Sequence, residues 1–139
     1  MTAKKKVVDL AKIDTVKGSN EGFDVRIYHP GTNEDLDITI SVLGKDSDAF
    51  QRVSRAQNKK RLAKMQKGGF RNISAPLEEV ERDGIDLLAS CTTGWTGVIV
   101  SGKEIEFSKD NAVMIYEGYP WIKEQVDIAV GDRANFIKP

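Results

Sequence analysis

Two early stretches of the chain, Phe23-Asp-Val25-Arg-Ile27-Tyr-His29 and Asp37-Ile38-Thr39-Ile40-Ser41-Val42, alternate apolar and polar residues with period two. That is the pattern of strands half-buried against a core. Between them lies Pro30-Gly31-Thr32-Asn33-Glu34. Its proline fixes φ while its glycine and asparagine tolerate positive φ, so it reads as a turn. Together these pieces predict an antiparallel hairpin. The period then changes. Gly44-Lys45-Asp46-Ser47-Asp48 closes the strand and opens a helix that either Asp46 or Ser47 can cap. Phe50, Val53 and Ala56 form a short apolar stripe near its start, Leu62 and Met65 extend it less regularly, and Gly68-Gly69 stops it.

Beyond residue 70 the signals are mostly helical. Ser74-Ala75-Pro76 is a helix start. Leu77, Val80, Gly84, Leu87, Leu88 and Cys91 follow at helical spacing, which predicts one core-facing stripe and assigns Cys91 as a small buried apolar residue. Thr93 to Gly97 interrupts the helices. Val98-Ile99-Val100, a Ser101-Gly102-Lys103 turn and Glu104-Ile105-Glu106-Phe107 then predict a small second hairpin, with Trp95, Ile105 and Phe107 facing a helical layer. Ser108 caps a short helix carrying Ala112, Val113 and Tyr116 that ends at Gly118. Pro120 opens the last one, whose core positions are Ile122, Val126, Ala129 and Phe136, with Tyr119 and Trp121 beside it. The predicted class is α+β: an N-terminal antiparallel β-hairpin, a long basic helix, then a mainly helical half with a small second hairpin. Residues 1–20 read as a basic flexible arm or weak first strand. Residues 21–70 and 71–139 read as two parts of one globular unit.

Composition narrows the chemistry. With 139 residues, 40% of them apolar, the chain is long enough for one real core. No apolar run approaches the roughly 20 residues a membrane span needs. The charged start lacks the apolar stretch of a secretion signal, so the expected place of work is the cytoplasm. Cys91 is the single cysteine and His29 the single histidine, which excludes an internal disulfide and a Cys/His zinc site. No nucleophile elbow accompanies His29 and no phosphate-cradling glycine loop is present. These absences argue against an enzyme and imply no cofactor and no metal.

The net charge of zero conceals a division. Residues 1–70 hold 14 Lys and Arg against 9 Asp and Glu, a net of +5, and residues 71–139 carry the opposite excess, 7 against 12. The halves can attract each other within one molecule, pair head to tail between copies, or face different partners. Seven of the basic residues, Arg52, Arg55, Lys59, Lys60, Arg61, Lys64 and Lys67, crowd the predicted basic helix. Such a helix serves as a solvated face, as a dock for an acidic protein surface, or as a nucleic-acid contact. The neutral chain and the lack of aromatics in this segment disfavour nucleic acid. Residues 50–67 are therefore the candidate partner surface, with Phe50, Val53, Arg55, Lys59, Lys60, Arg61, Lys64 and Lys67 as its contact residues.

The order of the pieces carries a resemblance. Gly44-Lys-Asp-Ser-Asp-Ala-Phe50 leads into the basic helix, and Leu87-Leu-Ala-Ser-Cys91 precedes Gly94-Trp95. Then come Gly102-Lys103, Phe107-Ser108, Asn111-Ala112, Pro120-Trp121-Ile122, Gln125-Val126 and Asp132-Arg-Ala-Asn-Phe136. From about residue 22 onward this resembles the tail assembly chaperones of tailed bacteriophages. The resemblance implies a non-enzymatic role in virion morphogenesis in the host cell cytoplasm. Members of the family bind the helix-rich tape measure protein and keep it soluble while tail tube subunits polymerise around it. Some are made in two lengths by a programmed frameshift, and they do not generally remain in the finished particle. The family supplies no binding residues to carry over. A homo-oligomer is compatible with the charge division. Two other functions compete: a structural virion protein of the tail or head-to-tail connection, motivated by the hairpin's edge strand, and a weaker nucleic-acid-binding module using Arg55, Lys59, Lys60, Arg61, Lys64 and Lys67.

Overall fold

The computed structural model describes residues 7–68 and 77–137. Its architecture is α+β, as the patterning predicts. Strands β1 (Phe23–Tyr28) and β2 (Asp35–Val42) form the antiparallel hairpin, in a register that sets Val25 opposite Ile40 and Ile27 opposite Ile38. The turn is closed by His29, whose backbone N–H donates to Glu34 and whose carbonyl accepts from Asn33. Its ring Nδ1 accepts from the backbone N–H groups of both Gly31 and Thr32, each at 3.0 Å. The lone histidine is thus a turn organiser.

After β2 the long helix α2 (Asp48–Gly68) begins where the sequence places it. Ser47 is its cap, accepting from the Phe50 N–H at 3.2 Å. The other candidate cap, Asp46, instead binds Arg133 through both carboxylate oxygens, at 2.7 and 3.0 Å. Helix α3 (Leu77–Ser90) returns alongside α2. The helix stop at Gly69 and the helix start at Ser74 to Pro76 lie outside the described residues. Next comes a third strand, β3 (Thr92–Thr96), which the sequence reading treats as an interruption and part of the second hairpin. It pairs antiparallel with β2, Ile40 opposite Trp95, giving a three-stranded sheet in the order β1-β2-β3. The small hairpin itself consists of β4 (Ile99–Val100) and β5 (Lys103–Glu104). Trp95 reaches it from outside: its indole N–H donates to the Ile105 carbonyl at 2.8 Å, and its ring stands edge-on to Phe107 at 5.2 Å. Gly97, at φ +81°, makes the step from β3 to β4. A Cβ there would strike the Asp37 carbonyl.

Helices α4 (Lys109–Gly118) and α5 (Pro120–Gly131) complete the fold. Ser108 caps α4 by accepting the Asn111 N–H at 3.0 Å, and Pro120 occupies the first turn of α5, where its missing N–H costs nothing. One face of the sheet supplies Val25, Ile27, Ile40 and Val42 to the core. The helices supply Leu88, Ala89, Ala112, Ile115, Tyr116, Ile122, Val126 and Val130. Tyr116 is buried with its hydroxyl 2.7 Å from the Thr92 Oγ. Thr92 commits its own proton to the Leu88 carbonyl, so its oxygen accepts from Tyr116 and the buried pair is satisfied.

Two expectations need correction. Residues 15–20 are neither arm nor strand: Thr15–Glu21 is a helix, α1, capped by Asp14, which accepts from the Lys17 N–H. Its Gly18 and Ser19 are buried beneath a 3-10 turn at Arg133–Phe136 that ends in the buried Phe136. A short helix containing Gly, Ser and Asn has little intrinsic propensity, and this packing is what holds it. The second correction concerns the stripe of α3. Leu88 is 2% exposed, but Leu77 is 72% exposed and Val80 also faces solvent. Only the C-terminal half of α3 reaches the sheet and α4; its first two turns lie beside the end of α2.

Candidate functional site

The surface that the sequence singles out, residues 50–67, is almost entirely α2. Its first two turns belong to the fold, since Phe50 packs against the core and Val53 is half-buried. Farther along, α2 presents two different faces. One is turned to α3. There Gln57 donates its amide to the Asp83 carbonyl at 2.8 Å, Arg61 meets the Asp83 carboxylate at 3.0 Å, and Lys64 meets Glu79 at 2.6 Å. Positions 57, 61 and 64 follow one side of a helix, as do 79 and 83 on the antiparallel α3. The hydrogen bond from Lys64, with the charges of Lys64, Lys60 and Arg61, holds the Glu79 carboxyl below its ordinary range against its desolvation. Basic α2 and acidic α3 are thereby joined within one molecule, so part of the charge division is answered internally. Asp46 with Arg133 is a second pair across the halves, of reversed polarity. Arginine's hydrogen bonds hold Asp46 down at about 2.

The opposite face of α2 is different. Arg52, Arg55 and Lys59 fall on the side away from α3, with Leu62 on its flank, and all four are exposed. None of the three cations has a carboxylate within 4 Å among the described residues. At 1.5 Å rise per residue the stripe is about 10 Å long. That length matches the screening distance at physiological salt, so an approaching partner meets the three charges as one patch. Of the sequence-predicted contact residues, Arg55 and Lys59 therefore lie on the open face, Lys67 is exposed at its margin, and Lys60 is exposed on the flank nearer α3, where its charge acts on Glu79. Arg61 and Lys64 are engaged with α3, and Phe50 is spent on the core. Arg52, outside the predicted contact set, joins the open face. Its spacing of three and seven from Arg55 and Lys59 is the signal that reveals it.

Other chemistry is sparse. Cys91 is wholly buried and its thiol is pushed up to about 11 by desolvation, the opposite of what a reactive thiolate needs. Burial likewise raises Tyr116 to about 12. Among the described residues no group of His, Cys, Asp and Glu converges as a metal site, and no helix is long and apolar enough to cross a membrane. Open surface concavities include one of about 360 Å3 beside α1, one of about 450 Å3 lined by Phe23, Asp24, Ser41 and Thr93, and one of about 430 Å3 between the β1–β2 turn and α5. Compared with known proteins, the chain matches no family model, no curated protein and no solved structure, so a functional reading rests on the surface geometry and on the sequence resemblance alone.

Proposed function

We propose that this chain is a non-enzymatic assembly factor that holds a partner protein against the outward face of α2, in the manner of the phage tail assembly chaperones its sequence resembles. Its clients on this reading are the tape measure protein and tail tube subunits, and its place of work is the host cytoplasm. The observation that supports it most is the division of labour on α2. Arg61 and Lys64 fasten the helix to α3, while Arg52, Arg55 and Lys59 are left as an unpaired basic stripe on a braced rod. A helix-rich client with acidic flanks beside its apolar faces would be attracted to such a stripe and released again, because exposed charge pairs are individually weak.

The nucleic-acid alternative loses two of its six cations to carboxylates on α3. A structural virion role keeps one supporting observation, the outer edges of the sheet at β1 and β3, where a neighbouring chain could add a strand. Co-expression with the tape measure protein encoded alongside it separates the readings. A chaperone renders the client soluble and co-elutes with it. Stoichiometric presence of this chain in purified particles, with no soluble complex, selects the structural role instead.

A further inference from the structure

The cleft between the β1–β2 turn and α5 has features that the assembly reading does not use. It measures about 430 Å3 and its walls include Tyr28, His29, Pro30, Trp121, Glu124 and Gln125. Most of these groups are fixed by other bonds. The Gln125 amide oxygen accepts the Tyr28 N–H at 2.9 Å and its nitrogen donates to the Tyr28 carbonyl at 2.8 Å, so the side chain pairs with β1 as another strand would. His29 is held by its two turn hydrogen bonds. Trp121 packs against the core and stands edge-on to Tyr119, ring centroids 6.5 Å apart. The Trp121 and His29 rings and the Tyr28 backbone are therefore set before any ligand arrives, which lowers the ordering cost of binding.

Glu124 is the exception. It is exposed and has neither an ion pair nor a hydrogen bond among the described residues. The adjacent Lys123 cannot neutralise it freely, being paired with Asp127 at 2.9 Å. A recess with a tryptophan on one wall and one uncompensated carboxylate at its rim favours a cation that is flat and weakly hydrated. Guanidinium meets that description better than ammonium, because it stacks on aromatic faces and sheds water more readily. We propose that this cleft receives an arginine side chain of a partner polypeptide, stacked against Trp121 with Glu124 as its counter-charge. The site lies on different elements from the α2 stripe and binds the opposite charge, so it stands or falls independently of the assembly reading.

The test is an 15N-HSQC titration of the full chain with the capped tripeptide Ac-Gly-Arg-Gly-NH2, read at the two tryptophan indoles and the Gln125 side-chain amide. The expected result is a saturable shift at Trp121 and Gln125, none at Trp95, and a Kd on the order of 10 mM. Replacing arginine by norleucine in the peptide abolishes the shift, and Glu124→Gln in the protein weakens binding about fivefold. Glu124 is exposed, so this variant keeps its fold and its dispersed spectrum. No shift at about 50 mM peptide, an equal response to the norleucine peptide, or undiminished binding by Glu124→Gln overturns the proposal.

Discussion

Gly18→Ala sets two effects against each other, and the structure decides which prevails. In a helix interior an alanine is ordinarily worth about 1 kcal/mol more than glycine. At position 18, however, a Cβ would lie 2.7 Å from the Phe136 carbonyl carbon and closer still to its oxygen. Carbon atoms in contact sit about 3.5–4.0 Å apart, so α1 and the closing turn must separate by at least about 1 Å, and by more to clear the oxygen. A gap of that size forfeits up to about half of the dispersion across the contact. Phe136 is 1% exposed and its ring meets Phe23 edge-on at 6.0 Å. Removing such a phenylalanine altogether costs about 3–5 kcal/mol, so half of it is about 2 kcal/mol. About 1 kcal/mol of residual overpacking strain cancels the helix gain. The expected net loss is about 2 kcal/mol, a fall of about 1 M in the urea midpoint. Gly84→Ala in α3 is the control, since nothing lies within 4 Å of its Cβ position. It should gain about 0.5–1 kcal/mol. Far-UV circular dichroism in urea measures both. A Gly18→Ala protein as stable as the parent would refute the packing of α1 against Phe136.

Asp46 sits at about 2 in the folded protein, below its ordinary value of 3.8. A depressed carboxyl contributes stability above its unfolded value that disappears as pH falls through about 4 to 2. Asp46→Asn should therefore cost about 1 kcal/mol or less near pH 7, discounted because Arg133 is largely exposed, a small fraction of that near pH 2 and nothing below it. Equal costs at both pH values in urea unfolding would contradict that linkage. Cys91, raised to about 11, should resist Ellman's reagent in the native protein at pH 8 and react on unfolding in urea. Immediate labelling of the native chain would count against its burial. A double-mutant cycle on Arg61 and Asp83, both partly buried, should return a coupling of about 0.5–1 kcal/mol that shrinks in high salt. Zero coupling would mean that α2 and α3 are not clamped.

The elements written by local rules are legible in the sequence. Val25, Ile27, Ile38 and Ile40 alternate as strand residues must, Ser47 and Ser108 cap their helices, and Pro120 opens α5. What is hidden depends on distant partners. Strand β3 has a glycine in its middle and no clean alternation, and exists because β2 offers Ile40 and Ser41 to pair with Trp95 and Gly94. Helix α1 is made of weak helix formers and is secured from the far end of the chain by Phe136. The basic residues of α2 are obvious as a group. Which of them face α3 and which face out follows only once α3 is laid antiparallel beside them, with Glu79 against Lys64 and Asp83 against Arg61. The cleft between the β1–β2 turn and α5 is the least legible feature, since Gln125 and Tyr28 meet through a hydrogen-bonded pair that no local pattern announces.

The proposed assembly role places the partner on the outward face of α2. Its most direct test is co-expression of the tape measure protein with the triple variant Arg52→Glu, Arg55→Glu, Lys59→Glu, analysed by size-exclusion chromatography with light scattering. All three residues are exposed and have no ion pair among the described residues, so the variant should fold like the parent, with an unchanged circular dichroism spectrum. The expected result is a complex of defined mass with the parent chain and its loss with the variant, the tape measure protein then returning to the insoluble fraction. A complex of the same mass and yield with both proteins would contradict the claim.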